Sequence, residues 1–234
     1  MWQALREELK DRNFEVITVA LDTGGAEAAR AAIERASPTH PSLIDERHVV
    51  ADLYGMVNVP TAVWIDEAGT IVRPPETPAS SARMAELIGI GPTEYVDALR
   101  DWVANGEASA YIPAAGERRR RLHRSDATEA LAATHFRLAE HLYLRGERDA
   151  ARPHFEEALR LRPESWTYRR QMWANYEPQN NMNREWYNAA MATGDVPYYA
   201  PVQFGDTAPD AAATAQKQRE TYEALFKPLM APDP

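Results

Sequence analysis

The sequence predicts an α/β domain over the first half of the chain and an all-α domain after it. Three observations support this fold class. Between residues 1 and 107, short β-branched runs alternate with amphipathic helical segments, as in a sheet covered by helices. Residues 108–116 are mostly small and interrupt that pattern. From Ala132 onward, apolar and small residues recur at the spacing of two packed helices joined by a tight turn.

The elements of the first half follow from their residue patterns. Trp2, Leu5 and Leu9 share one helical face, so residues 2–11 are predicted to be a helix. Residues 14–21 are mostly apolar and β-branched, which is typical of a parallel strand buried on both faces. The further predicted elements are a helix at 26–36, a strand at 43–44, a helix at 46–54, an antiparallel hairpin of 61–65 and 70–72, a loop at 73–81 and a helix from Pro92 to about 103.

The second half begins with a linker at 108–124, and residues 125–176 are predicted to be helical. Asp126 and Glu129 have the spacing of a capping box at the start of the first helix. Residues 177–210, rich in Asn, Pro, Gly and aromatic side chains, are predicted to be an ordered meander, and residues 214–226 a final helix. The positions that resemble a 34-residue tetratricopeptide repeat are Leu138, Ala139, Gly146, Ala151, Phe155, Ala158 and Pro163. A single repeat cannot bury its own apolar face, so we expect it to dock on the first domain or on a partner.

Composition excludes several classes of function. The sequence has no cysteine, which rules out disulfides, thiolate nucleophiles and Cys-ligated zinc within it. Residues 1–110 carry 9 basic and 18 acidic side chains, which argues against nucleic acid as the main partner. No run approaches the roughly 18 apolar residues of a membrane span. The amphipathic start does not fit a signal peptide, so we expect the chain as written to be cytoplasmic.

One motif carries a family resemblance. Residues 57–72 contain Val59-Pro60-Thr61 followed by Trp-Ile-Asp-Glu-Ala-Gly at 64–69. Together with the strand pattern at 16–22 and the segments at 41–45 and 50–56, this resembles the thioredoxin-like redoxins of the TlpA/ResA type. The resemblance covers residues 1 to about 105. It implies a cis peptide bond before Pro60, facing a redox-active turn of the family.

The same resemblance implies that the fold is incomplete in this sequence. The family's interior strand and its Cys-x-x-Cys turn would precede Met1, and that strand would lie between the strands at 14–21 and 61–65. Without it, two strand edges should lack partners. Three alternatives follow: the two strands pair directly, another chain donates a strand, or a longer reading frame supplies the strand with a cysteine or selenocysteine.

Two groups of residues are candidate binding sites. In the resembling family the backbone before the cis-proline pairs with an extended substrate, so Val59, Pro60 and Thr61 are candidate peptide-binding residues. The second group consists of arginines and tryptophans, which are predicted either to form an interface with a partner or to make contacts within the chain. For the arginines we favour a solvated or intramolecular role, and for the aromatic residues a core that joins two domains. Its members are Arg118, Arg119, Arg120, Arg121, Trp166, Trp173 and Trp186.

The common catalytic and metal-binding motifs are absent from the sequence. The sequence contains no Gly-x-Ser-x-Gly, no phosphate-binding loop and no His-Glu-x-x-His. His135 and His141 lie six residues apart and so point to nearly opposite sides of a helix. We therefore expect structural or solvated roles for the six histidines, and no cofactor. The histidines are His40, His48, His123, His135, His141 and His154.

Two functions follow as hypotheses. The first is a non-catalytic protein-interaction module that binds a protein or peptide, or a second copy of itself across the open sheet edge. The alternative is a thiol or selenol oxidoreductase whose reactive residue lies on a segment outside this sequence. A hydrolase or other enzyme acting through residues 177–210 is a weaker third hypothesis.

Overall fold

The computed structural model describes residues 1–122, 124–180, 183–205 and 209–230, with the backbone alone for 227–230. Within these ranges the strands are β1 (Thr18–Leu21), β2 (Ser42–Asp45), β3 (Ala62–Ile65) and β4 (Ile71–Glu76). The α-helices are α1 (Trp2–Leu9), α2 (Gly25–Ala36), α3 (Val49–Leu53), α4 (Ala82–Ile88), α5 (Pro92–Asn105), α6 (Ala115–Arg121), α7 (Ala127–Leu144), α8 (Arg148–Leu161), α9 (Trp166–Tyr176), α10 (Arg184–Met191) and α11 (Ala211–Met230).

The four strands form two separate two-stranded sheets. β1 pairs in parallel with β2, with Thr18 opposite Ser42, and β3 pairs antiparallel with β4. Among the described residues no hydrogen-bonded ladder joins the two sheets, so the direct pairing of residues 14–21 with 61–65 is not formed. One edge of β1 and one edge of β3 are therefore without a strand partner in this part of the molecule.

The elements of the first half differ from the sequence prediction in several places. The strand predicted from residue 14 begins only at Thr18, where the four-residue β2 first offers a partner. The helix predicted from residue 46 begins at Val49, because the Asp45 carboxylate accepts hydrogen bonds from the N–H groups of Val49 and Val50, at 2.9 and 2.6 Å. The segment 82–88, to which no element was assigned from the sequence, forms α4.

The loop predicted at 73–81 was wrong over its first four residues, which belong to β4. Pro74 and Pro75 lie inside this strand, although proline cannot donate a ladder hydrogen bond. The strand tolerates them because β4 is an edge strand and its register with β3 shifts between Ala62 and Trp64.

The helical half contains a tight hairpin of α7 and α8. Asp126 accepts from the N–H of Glu129, and the Glu129 side chain accepts from the N–H of Asp126, which confirms the capping box. Phe136 and Phe155 pack edge to face, with ring centroids 5.5 Å apart. Four fully buried alanines let the two helices approach closely: Ala132, Ala139, Ala151 and Ala158.

The predicted meander at 177–210 contains a helix, α10, and the final helix is longer than predicted, at Ala211–Met230. Side chains from both halves of the chain form one apolar cluster. Leu5, Trp64 and Tyr95 belong to it together with Trp186 and Phe226. The boundary predicted at residue 107 therefore does not separate two independent cores.

Candidate functional site

A cavity of about 410 Å³ lies where the two halves of the chain meet. Leu21 and Asp22 line it from the carboxyl end of β1, Val59 lines it from the loop before β3, and Arg170 and Trp173 line it from α9. Ligand sites of α/β proteins are commonly found at the carboxyl ends of parallel strands. This cavity is the candidate functional site of the molecule.

Of the three candidate peptide-binding residues Val59, Pro60 and Thr61, Val59 lines this cavity. The Val59–Pro60 peptide bond is cis, the isomer that the family resemblance implies, and Pro60 is exposed. The backbone groups of Val59 already have partners within the chain: its N–H donates to Asn58 Oδ1 at 2.8 Å, and its carbonyl oxygen accepts from Arg170 Nη1 at 3.3 Å. A peptide that paired with Val59 would compete with Asn58 for its N–H and with Arg170 for its carbonyl oxygen.

Helix α9 is held against this loop by its own first turn. The N–H groups of Trp166 and Thr167 both donate to the carbonyl oxygen of Val57, at 2.6 and 3.1 Å. The first N–H groups of a helix have no partner inside the helix, so an external carbonyl satisfies them. Asn58 Nδ2 also donates to the carbonyl oxygen of Tyr198, at 2.7 Å. The helical half thus covers the loop that the family resemblance assigns to substrate binding.

A buried polar cluster lies beside the cavity. Thr23 Oγ1 donates to Glu140 Oε1 at 2.8 Å, and the Thr23 N–H donates to Gln171 Oε1 at 3.2 Å. His48 Nε2 lies 3.3 Å from the same Gln171 oxygen and 3.7 Å from Glu140 Oε1. Because Gln171 Oε1 can only accept, the Nε2 of His48 carries the proton. His48 Nδ1 is buried and has no hydrogen-bond partner in the described part of the chain.

Burial sets the charge state of this cluster. It raises the pKa of Glu140 to about 8 and lowers the pKa of His48, because a charged group loses its hydration inside the protein. Near neutral pH the pair is therefore an uncharged carboxyl group beside an uncharged imidazole. With Glu140 3% and His48 2% exposed, the cluster can link the two halves but offers little access to a substrate.

The predicted arginine and tryptophan groups are largely engaged inside the chain. Arg118 pairs with Glu107 at 3.3 Å, while Arg120 and Arg121 both pair with Glu117. Arg119 is exposed on the same helix. The three indoles are buried in the apolar cluster to which both halves of the chain contribute: Trp166, Trp173 and Trp186.

The six histidines have separate environments. His48 is in the cavity wall, His40 lies by Gln3, and His141 is exposed on α7. His135 and His154 meet across the hairpin of α7 and α8. His123 lies outside the described residues. Among the residues that are described, no group of three or more His, Cys, Asp or Glu side chains is arranged to hold a metal ion.

Sequence reasoning missed most of the polar groups at this site. Glu140 did carry a signal, because it lies one turn after Phe136 on the helix face that packs inward. An acidic residue at such a position predicts a buried partner. His48, Arg170 and Gln171 carried none, since they meet only through contacts between distant parts of the sequence.

Comparison of the chain with models of known protein families, with curated proteins and with solved structures gave no match. None of the helices in the described ranges is long and apolar enough to cross a membrane.

Proposed function

We propose that the chain is a non-catalytic protein-interaction module of thioredoxin-like type, and that its partner adds an extended segment to the free edge of β1. The observation that carries this proposal is the division of the strands into two separate pairs. A strand edge presents unpaired N–H and C=O groups, which an extended peptide can complete as a further strand.

The register identifies the groups that such a segment would meet. The Thr18 N–H donates to the carbonyl oxygen of Pro41 at 3.0 Å, so Thr18 faces β2. Successive residues of a strand direct their backbone groups to opposite edges, so Ala20 also faces β2, whereas Val19 and Leu21 face away from it. Within the described residues, no hydrogen bond to the N–H of Val19 is formed.

Apolar surface next to this edge supports a protein partner. Ile17 and Leu43 are 59% and 53% exposed, and the pairing of Val19 with Leu43 places both on the same face of the sheet. An extended segment with alternating apolar residues would pair with β1 through its backbone and place side chains beside Ile17, while Leu43 continues the same apolar face on the far side of β1. We therefore expect the partner to supply such a segment, either from another protein or from a second copy of the chain.

The experiment is selection of peptides from a displayed random library on the full chain, followed by measurement of their binding to Val19→Pro and Val19→Ala. Proline removes the free-edge N–H without removing a β1–β2 hydrogen bond, and edge strands tolerate it. Alanine shortens the side chain but keeps the N–H. We expect peptides with alternating apolar residues that bind the wild type and Val19→Ala and are lost on Val19→Pro.

Light scattering over a range of concentrations covers the case in which the partner is a second copy. A dimer that dissociates in Val19→Pro but not in Val19→Ala supports the proposal, with the chain as its own partner. A chain that stays monomeric and selects no peptide contradicts it, and so does peptide binding that is equal in the two variants. Circular dichroism of both variants checks that they fold.

The alternative function is a thiol or selenol oxidoreductase whose reactive residue lies on a segment outside this sequence. The observation that favours it is the cavity beside Val59, at the carboxyl end of β1. Because the sequence has no cysteine, this alternative predicts no disulfide reduction by the 234-residue chain. It also predicts reduction by a longer reading frame that contains the strand and the reactive turn.

A further inference from the structure

His135 of α7 and His154 of α8 face each other across the helical hairpin. Their Nδ1 atoms are 3.0 Å apart, and their ring centroids are 5.2 Å apart with the planes tilted by 37°. Both side chains are half-buried, so the pair is in contact with solvent. We propose that these two imidazoles bind a single transition-metal ion of the class that prefers nitrogen ligands: Zn²⁺, Ni²⁺ or Cu²⁺.

The packing of the hairpin fixes where the two rings lie. His135 directly precedes Phe136, and His154 directly precedes Phe155, and these two phenylalanines pack edge to face in the core of the hairpin. Each histidine therefore lies beside the contact between Phe136 and Phe155, at matching positions on the two helices. Ligands held on packed helices keep their geometry better than ligands on loops.

The distance between the nitrogens suits a shared ion. Two neutral imidazoles at 3.0 Å require one Nδ1 to donate and the other to accept. A zinc ion binds imidazole nitrogen at about 2.0–2.1 Å, so two tetrahedral ligand nitrogens are about 3.3–3.4 Å apart. Replacing the shared proton by a metal ion therefore requires the two nitrogens to separate by a few tenths of an ångström and each ring to turn so that its Nδ1 lone pair points at the ion. Water would complete the coordination.

The surroundings of the pair favour a cation. Glu157 lies three residues after His154, on the same face of α8, and hydrogen-bonds to Arg160 at 2.7 Å. Arg160 is 67% exposed, and an exposed ion pair of this kind contributes little to stability, so Glu157 is easily released. Imidazole nitrogen is a ligand that zinc, copper and nickel accept, and the negative charge of a nearby carboxylate adds to the attraction of a cation.

Titration calorimetry of the tag-free chain with zinc, nickel and copper chloride, each added alone, tests the proposal. We expect one ion per chain, with the highest affinity for Cu²⁺. His135→Ala and His154→Gln should each weaken binding by at least about tenfold. The control is His141→Ala, which changes an exposed histidine on the same helix and should leave the affinity unchanged.

The electron paramagnetic resonance spectrum of the Cu²⁺ complex gives a second readout. It should show coupling to two imidazole nitrogens in the wild type and to one in either single variant. The half-buried positions of both rings make folded variants the expected result, which circular dichroism checks. Absence of binding, or an equal affinity in the wild type, His135→Ala and His154→Gln, would overturn the proposal. An equal loss in His141→Ala would do the same.

Discussion

The guanidinium Nη1 of Arg170 donates a hydrogen bond to the carbonyl oxygen of Val59 at 3.3 Å, across 111 residues of sequence. The same side chain also bonds to the hydroxyl of Tyr198. One arginine of α9 thus joins the loop before β3 to the segment after α10. The family resemblance assigns the backbone of Val59 to substrate binding, but here side chains of the same chain bond to it. In the proposed module, the β1 edge is therefore the surface for a partner.

Replacement of Arg170 tests this internal contact. We expect Arg170→Ala to lower the free energy of unfolding by about 1.5–3 kcal/mol, because hydrogen bonds from a charged donor are lost on both sides. Amide exchange in residues 57–61 should become faster. The matched control is Arg160→Ala on α8, whose exposed pair with Glu157 is screened by solvent and should contribute much less. An equal drop in the free energy of unfolding for the two variants would show that the hydrogen bond between Arg170 and Val59 does not stabilise the fold.

The pKa of Glu140 predicts how stability depends on pH. A folded-state pKa of about 8, against about 4.3 for an unfolded glutamate, means that the folded chain holds a proton that the unfolded chain has released. Stability should therefore fall as pH rises through this window, by up to about 1.4 kcal/mol per pH unit. The lowered pKa of His48 has the opposite effect below about pH 6.5, where unfolding takes up a proton.

The window from pH 6.5 to 8 isolates the contribution of Glu140. Denaturant unfolding should show the wild type losing stability there, while Glu140→Gln loses about 1–2 kcal/mol less, since its amide does not titrate. Glu156→Gln, which changes an exposed carboxylate on α8, should follow the wild type. A parallel pH dependence of Glu140→Gln and the wild type would mean that Glu140 is ionised in the folded state.

Arg73 is the most deeply buried charged side chain of the described residues, at 1% exposure. It bonds Glu76 through two nitrogens, at 2.9 and 2.5 Å, and lies between the rings of Trp64 and Phe204. We expect Arg73→Ala to cost about 3–5 kcal/mol, because it leaves Glu76 without its counter-charge. Arg100→Ala breaks a similar two-nitrogen pair with Glu8 on the surface, where solvent screens the charges, and should cost much less. Thermal unfolding of both variants gives the comparison, and similar costs would contradict the assigned role of burial.

The sequence predicted the elements whose signals are local. The capping box at Asp126 and Glu129 and the proline at the start of α5 are confirmed, because each depends on residues within one helical turn. The continuation of the predicted strand 70–72 through Pro74 and Pro75 was missed, since only its edge position and its irregular pairing make the prolines acceptable. Helix α10 was missed because its flanking residues were typical of a meander.

Contacts between distant residues limited what could be predicted about the site. His48 and Glu140 meet only when the hairpin of α7 and α8 docks beside β1, and no spacing within either segment indicates this. His135 and His154 did carry a signal, a His-Phe dipeptide at matching positions on two predicted helices. The spacing of His135 and His141 along one helix does not reveal this pair, because His154 lies on the next helix. The resemblance to thioredoxin-like and tetratricopeptide proteins stays a prediction.

Residue-resolved amide hydrogen exchange in β1, measured by nuclear magnetic resonance, is the most direct test of the proposed binding edge. Ala20 faces β2 and its amide should exchange slowly, whereas the amide of Val19 faces the free edge and should exchange rapidly. Addition of a selected peptide should slow the exchange of Val19 and leave Ala20 unchanged. Equal protection of Val19 and Ala20 in the free, monomeric chain would show that the edge is already paired and would contradict the account.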